Sequence, residues 1–405
     1  MASTHSIVPA LLRPFFQPIV SVSDGSIYGY EVLARQLNEA GEIQNIGSFF
    51  NDPTVSENER IAVDRTVREL AFQQLKSQQQ HGARRLFINI HPAWIYNYRE
   101  RDETFPTIRM MDEVGLAGEN LIVEITEQNF QEADFDFLNG LIDRYRERGI
   151  KIAIDDFSFP NFDRLLSIKP DFVKVDIQLV KKSAQNQDYK KLVGYISNFC
   201  QDLGISVIFE GVETLHELEN AIESGGSLIQ GWFLSKADAD FQEADSYKQP
   251  IQLGLNNVIY RSRHSSQNIV KIEHNMNKYL RLVIEREQLF RRSNLDEALN
   301  RILPFLPPQC FRVFICDGYG LQRSSNYTRL DNSTNSADFR IHPEHRGKNW
   351  GWRPYFFNNL VRMKEWERGV ISHEYVDVES RRRTLTFSYP ISGDLFIFLD
   401  FFAEG

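Results

Sequence analysis

The chain has 405 residues, too many for one ordinary hydrophobic core, so two domains are expected. With 42% hydrophobic and 25% charged residues it has a globular composition, while a net charge of −9 and a pI near 5.6 weigh against a general binder of nucleic acid or anionic membranes. No apolar stretch reaches the roughly 18 residues of a membrane helix, the N-terminus lacks the pattern of a secretion signal, and Cys200, Cys310 and Cys316 show no CxxC spacing; a cytoplasmic protein with reduced core cysteines is expected.

FFQPIVSV and IYGYEVLAR read as two strands joined by Ser23-Asp24-Gly25-Ser26, a hairpin signal, so one antiparallel strand is expected near the start. From there to about residue 240 strand-like and helix-like segments alternate. LFINI precedes a helical stretch and then LIVEITE. Helical spacing over 135–148 stops at Gly149 before KIAIDD, and FVKVD follows. A helix over 189–203 stops at Gly204 before VIFEGVE, and a short one over 215–223 stops at Gly225-Gly226 before LIQGWF. Such alternation implies parallel strands linked by right-handed crossovers, and the strand count suits a closed (β/α)8 barrel of the TIM type better than an open sheet. No G-x-G-x-x-G opens a helix after the first strand, which weighs against a dinucleotide-binding fold. Residues 256–303 read as polar helix, with Ile272, Met276, Leu280, Val283 and Phe290 spaced for a connector, for pairing with a partner chain, or for packing onto their own domain. Beyond Leu306-Pro307-Pro308, the runs FRVFICD, TLTFSYP and DLFIFLDFF are strands, with a helix at 355–368, which indicates a small α+β domain with an antiparallel sheet. The expected division is a barrel over 1–250, a helical linker over 251–305 and the α+β domain over 306–405.

The chemistry lies in how the first strands end. Seven apolar runs finish on polar side chains: Glu31, Asn89, Glu124, Asp155 with Asp156, Lys174 with Asp176, Glu210 with Glu213, and Gln230. Runs rich in Val, Ile and Phe are strands buried on both faces, where charge is costly, so the repeated endings call for one shared site at the C-terminal mouth of the barrel. One such acid alone is an ordinary helix cap or rim charge; seven in register are not independent. Glu31, Asn89, Glu124 and Asp155 offer oxygen ligands suited to magnesium or manganese, and Asp156 offers a second ion a place beside the first. Lys174 is placed to orient a water or hold developing charge, with Glu210 or Glu213 binding metal or fixing the lysine. A glycosidase using paired carboxylates would leave Lys174 and Asn89 without a role.

In order and spacing, QPIV, GYEVLAR, FINIHP, IVEITE, IAIDDF, VKVD, FEGVE and QGWFLSK resemble the EAL-domain cyclic di-GMP phosphodiesterases over residues 12–240, with Val32 where that family usually has alanine. The resemblance implies hydrolysis of one phosphodiester of cyclic di-GMP to linear pGpG, with two Mg2+ or Mn2+ ions. Carried over position by position, it implies Glu31, Asn89, Glu124 and Asp155 as metal ligands, Asp156 as ligand of the second ion and Glu210 as a further ligand. Lys174 is similar to the residue that positions the water, Glu213 to its supporting carboxylate, and Gln230 to a residue close to the nucleophile. Gln17, Leu33, Arg35 and Asp176 are similar to contacts with the bound cyclic di-GMP, Arg35 being suited to bidentate phosphate binding. Glu127 is similar to the carboxylate that anchors the loop after Asp156.

That loop departs from the family. A phenylalanine-glycine-threonine-glycine stretch is replaced by Phe157-Ser158-Phe159-Pro160-Asn161-Phe162, and the path to Lys174 is about two residues shorter. A receptor that binds cyclic di-GMP with little or no hydrolysis is the alternative this leaves open. GKNWGWRPYF and RTLTFSYPI resemble the PAS-like C-terminal region of YkuI-type EAL proteins, and WRPYF also resembles Cache-class sensor domains. This implies a sensing or dimerisation domain, in which Trp352, Arg353 and Tyr355 either line a pocket for a small ligand or serve as core aromatics and an ion-pair partner. The resemblance and the connecting helix together imply a homodimer.

Overall fold

The computed structural model describes residues 7–38, 40–78, 85–90, 105–126, 135–157, 162–287, 290, 294–330, 338–353 and 355–403. It falls into two compact units, Met1–Tyr260 and Arg261–Gly405. None of the described helices is long and apolar enough to cross a membrane.

In the first unit the strands are β1 (Leu12–Ser21), β2 (Ile27–Leu37), β3 (Ile43–Asn45), β4 (Leu86–Ile90), β5 (Leu121–Thr126), β6 (Lys151–Phe157), β7 (Phe172–Val175), β8 (Ser206–Phe209) and β9 (Leu228–Gln230). They pair in the order β1-β9-β8-β7-β6-β5-β4-β2, and a β1–β2 pairing closes the circle into a barrel of eight strands. β2 and β4 through β9 are mutually parallel, whereas β1 is antiparallel to both β2 and β9, as the opening hairpin requires. β3 adds to β2 outside the barrel, an extra strand that its three exposed residues do not announce. The expected helix stops at Gly149 and Gly204 take left-handed φ of +77° and +74°, closing the helices Phe135–Glu147 and Gln187–Asp202 before the next strand.

The barrel interior is built in layers. Ile19, Phe87, Ile122, Ala153, Phe172, Ile208 and Leu228 form one buried apolar cluster inside it. On β2 the same level is taken by Gly29, where a Cβ would lie 3.0 Å from the Phe87 ring. Side chains repeat every second residue along a strand, so the next interior level falls two residues further toward one mouth. That level reads Gln17, Glu31, Asn89, Glu124, Asp155, Lys174, Glu210 and Gln230. The polar residues thus lie near the C-terminal ends of their strands, as expected, and there they form an upper layer of the filled interior rather than a solvated rim.

The second unit is an antiparallel sheet with helices, in keeping with the α+β expectation. Its strands are β10 (Cys310–Asp317), β11 (Asn326–Arg329), β12 (Phe339–His342), β13 (Val370–Ile371), β14 (Tyr375–Val376), β15 (Arg383–Ser392) and β16 (Leu395–Phe402). The order is β12-β11-β10-β16-β15-β13, with β14 also on β15. β10 is buried along its whole length: Val313 and Ile315 face one core with Leu299 and Ile302, Phe314 and Cys316 another with Phe356 and Met363. Met276 and Leu280, late in the helix Lys248–Glu287, are buried in the first of these cores. This half of the helix is thus packed onto its own domain, one of the alternatives its spacing left open, and the compact units divide at Tyr260/Arg261.

Candidate metal centre

Lys174 stands at the centre of the upper layer, 1% exposed. Its Nζ lies 2.6 Å from Glu210 Oε1, 2.9 Å from Glu124 Oε1, 3.3 Å from Asp155 Oδ1 and 3.5 Å from Glu31 Oε2. Asn89 donates through Nδ2 to Glu31 Oε1 at 3.2 Å. Gln230 donates through Nε2 to Glu31 Oε2 at 2.5 Å and to Gln17 Oε1 at 3.4 Å. Barrel register explains these meetings, because Gln17 pairs with Glu31 across β1–β2 and Asn89 with Glu124 across β4–β5.

Asp155 and Asp156 need a further device, since neighbours on a regular strand point to opposite faces. The pairing of β6 with β7 shifts register between Ile154 and Phe157, and Asp156 takes a left-handed φ of +53°. Aspartate tolerates that conformation better than most residues. The bulge turns both carboxylates to one side, where oxygens of Asp155, Asp156 and Glu210 all lie within 4.8 Å of one another. Glu210 is held by the turn after β8, where Gly211 has φ +62° and a Cβ would collide with the Ile177 side chain at 2.1 Å.

One ammonium among four carboxylates, Glu124 and Asp155 buried and Glu31 and Glu210 partly so, leaves the cluster short of positive charge. Burial works against the Lys174 charge, but Asp155, Glu124, Glu210 and Glu31 outweigh it and hold the ammonium well above its ordinary range. On the acid side burial dominates, and Lys174 offsets it only in part: Glu210 is pushed up to about 8, and Glu124 well above the usual carboxylate range. Asp156 is raised as well, by burial and then by Asp155 and Asp176. Each raised acid is one that a cation would return to its ionised form.

The residues fit a hard divalent cation on their own geometry. Glu124 is fully buried, and neither of its carboxylate oxygens has a hydrogen-bond partner among the described residues. Its Oε1 is 2.9 Å from Lys174 Nζ, a charge contact without hydrogen-bond alignment. A buried carboxylate without donors is costly, and an all-oxygen set containing it matches magnesium, manganese or calcium rather than zinc.

Beside this cluster a cavity of about 570 Å3 opens against β1, β2 and β4, and Gln17, Leu33, Arg35 and Asn89 line it together. Trp232, 62% exposed, stands on the same cavity with Lys236 5.2 Å from its ring. Sequence reasoning passed over both Trp232 and Arg68. Arg68 is 6% exposed, donates to Thr107 Oγ1 at 2.8 Å and to the Asn89 carbonyl at 3.4 Å, and pairs with Asp64. Its signal was the i, i+4 spacing of Asp64 and Arg68 on a helix, a pattern that exposed surfaces share.

Two expected site residues make their direct contacts outside the ring around Lys174. Glu213 pairs with Lys181 at 3.1 Å, and its backbone N–H donates to Glu217; it makes no contact with Lys174. Asp176 caps the helix Ile177–Gln185, accepting from the N–H groups of Gln178 at 2.9 Å and Leu179 at 3.3 Å. Replacing Asp176 with alanine should cost about 1 kcal/mol of stability, the ordinary worth of such a cap. Calorimetric affinity for cyclic di-GMP should stay within about threefold; a larger loss would make Asp176 a ligand contact after all. Glu127 and the stretch 158–161 lie outside the described residues. In the second unit Arg353 is buried and bonded to Asp377 at 3.1 Å, with its guanidinium 4.8 Å from the exposed Trp352 ring, and Tyr355 packs on Tyr375.

Residues 6–237 match the family model described as the EAL domain, and residues 241–404 the EAL-domain associated signalling protein domain. The EAL-domain containing protein YkuI of Bacillus subtilis is 29% identical over 393 residues, 96% of this chain and 93% of that protein. Its crystal structure, in complex with substrate c-di-GMP and calcium, is similar at a TM-score of 0.86 and 27% identity over 97% of this chain and 96% of that one. The cyclic di-GMP phosphodiesterase RocR of Pseudomonas aeruginosa is 27% identical over 228 residues, 55% of this chain and 56% of RocR. Klebsiella pneumoniae BlrP1, solved with cyclic di-GMP and manganese, matches at a TM-score of 0.50 and 26% identity over 57% of each chain. With the EAL model spanning more than half of its length, the chain belongs to the EAL-domain family.

Proposed function

We propose that the protein is a divalent-metal-dependent phosphodiesterase that opens cyclic di-GMP to linear pGpG. The observation that carries this reading is the ring of Glu31, Glu124, Asp155 and Glu210 around buried Lys174, with fully buried, donor-free Glu124 among them. Glu31, Asn89, Glu124 and Asp155 would hold one Mg2+ or Mn2+, and Asp155, Asp156 and Glu210 a second. Bound ions supply an acidified water and neutralise charge on the phosphate.

The chain's own groups divide the remaining tasks. Lys174, whose ammonium form the surrounding carboxylates favour, would serve as a hydrogen-bond donor to a water or to phosphate oxygens. Gln230 has its Nε2 committed to Glu31 and Gln17, while its buried Oε1 has no partner among the described residues. That oxygen is placed to accept from the O–H of a water. Arg35, Leu33 and Gln17 line the cavity that would receive the dinucleotide, with Arg35 gripping phosphate in the manner guanidinium favours. The same reading assigns 1–250 to catalysis and 306–405 to regulation, in a cytoplasmic homodimer.

Purified protein with Mg2+ or Mn2+ should convert cyclic di-GMP to pGpG, followed by chromatography, and chelation should stop it. Absence of product above a Glu31→Ala control would defeat the catalytic reading. The second reading, a receptor with little turnover, is favoured by the Ser-Phe-Pro sequence after Asp156-Phe157, and tight calorimetric binding beside no product would select it.

A further inference from the structure

On the sheet of the second unit, strands β10 to β12 carry a cavity of about 620 Å3 that the barrel chemistry does not use. Among the described residues its lining holds four arginines, Arg312, Arg329, Arg340 and Arg382, with His342 and His345, against one carboxylate, Glu379; burial disfavours the charged form of His345, so the arginines carry the positive charge. Sheet register concentrates this charge. Arg312 lies opposite Thr328, and Thr328 opposite Arg340, so the three stand in one row on one face.

The row runs from a fixed floor to an open end. Arg312 is 6% exposed and anchored by Asp400 at 2.6 Å and Asp377 at 2.9 Å. Glu379 is already engaged, by Arg312 at 3.4 Å and Lys348 at 3.3 Å. Arg340, at the outer end, is exposed and has no acidic partner among the described residues. Phe311 and Phe402, ring-stacked at 4.4 Å, flank the cavity with a flat apolar surface. The charge of the whole unit agrees with its wall: residues 261–405 hold 22 lysines and arginines against 17 acidic residues, a surplus of five in a chain whose total is −9.

We propose that this cavity binds a small phosphorylated molecule, its phosphate held by the exposed guanidinium groups of Arg340 and Arg382 at the open end. Two guanidinium forks lining one cavity match a tetrahedral oxyanion, whereas the Thr328 hydroxyl is bonded to His342 Nε2 at 2.9 Å and Arg312 to its acids; the volume lies inside the range of about 300–1,000 Å3 typical of small-molecule sites. The stacked phenylalanines offer a seat for an attached ring. The barrel mouth is acidic and repels phosphate unless divalent ions are present, so the two sites are separable by chelation.

Calorimetric titration of the full chain in chelator, with inorganic pyrophosphate and with 5′-AMP, tests the assignment. Saturable binding at one site per chain is expected, competitive between the two probes, weakened at least about tenfold by Arg340→Gln and retained by Glu31→Ala. Arg340 is exposed, so the ligand-free melting temperature of its variant should match the natural chain, and Arg382→Gln provides a second weakened variant. Tighter binding of 5′-AMP than of pyrophosphate would support the ring seat. No saturable binding, binding indifferent to both arginine substitutions, loss of binding in Glu31→Ala, or citrate bound as tightly as either probe would overturn the proposal.

Discussion

A Lys174→Met chain is expected to hydrolyse cyclic di-GMP at least about a thousandfold more slowly, even at saturating metal. Methionine preserves the length of the side chain but leaves Glu31, Glu124, Asp155 and Glu210 facing one another with no cation, where Lys174 now lies within 3.5 Å of all four. Removing one partner from a buried ionic cluster costs about 3–5 kcal/mol. The ion-free melting temperature should accordingly drop by about 10 °C, taking roughly 2–4 °C per kcal/mol for a domain of this size. Magnesium or manganese should restore most of that loss, because a divalent ion supplies the charge the lysine withdrew. Product chromatography reads the loss of turnover, calorimetry with and without chelator the change in melting temperature. Turnover within tenfold of the natural chain would remove the ammonium from the reaction, and an unchanged ion-free melting temperature would mean that the lysine does not hold the acids together.

Glu124→Gln should move stability and activity in opposite directions. The amide has the same shape and carries no charge, so a fully buried, donor-free carboxylate disappears from the cluster. Ion-free protein should melt a few degrees higher, while turnover falls by about a thousandfold and metal ceases to stabilise as strongly. The pH profile has a definite sign. A carboxyl whose pKa is raised by folding binds its proton more tightly in the folded chain, so its contribution is fully present below the unfolded value and lost as pH rises through the folded one. For Glu210 that window runs from 4.5 to about 8. Ion-free natural protein should therefore lose stability from pH 5 to pH 8, saturating metal should flatten the slope, and Glu124→Gln should reduce it. Stability that rises across this range, or a slope indifferent to metal, would contradict the assignment of the acids.

Much of the site was legible because it obeys a short-range rule. Apolar runs with a polar residue two positions past an interior one mark Asn89, Glu124, Lys174 and Glu210, and eight such strands brought to one level leave little freedom in where they meet. What escaped the sequence depends on deviations from that rule. Nothing in KIAIDDF announces the shift of register at Asp155-Asp156, because a bulge is set by the neighbouring strand and not by local propensity. Asp176 and Glu213 fall at strand ends like the others, yet β7 stops at Val175 and the helix that follows claims Asp176 as its cap. Arg68 lies on a helix outside the barrel, and only the packed structure shows it reaching the carbonyl of Asn89. The second unit's sheet was plain from its apolar strands, but the seam of Arg312, Thr328 and Arg340 requires knowing that β11 lies between β10 and β12.

The antiparallel strand β1 carries a consequence for how the chain comes to be made. It joins the first strands to the last, and through it Gln17 meets Gln230, 213 residues later, while Gln230 also reaches Glu31 across 199. During synthesis Glu31, Asn89 and Glu124 emerge long before the strand that shuts the circle, and closing so long a loop is slow. Until β9 arrives the nascent acids remain solvated, and charges that would be costly inside a finished barrel are never buried prematurely. The last strand of the barrel to be made, β9, thus decides when the acids lose their water, which makes ring closure and creation of the ion site a single event.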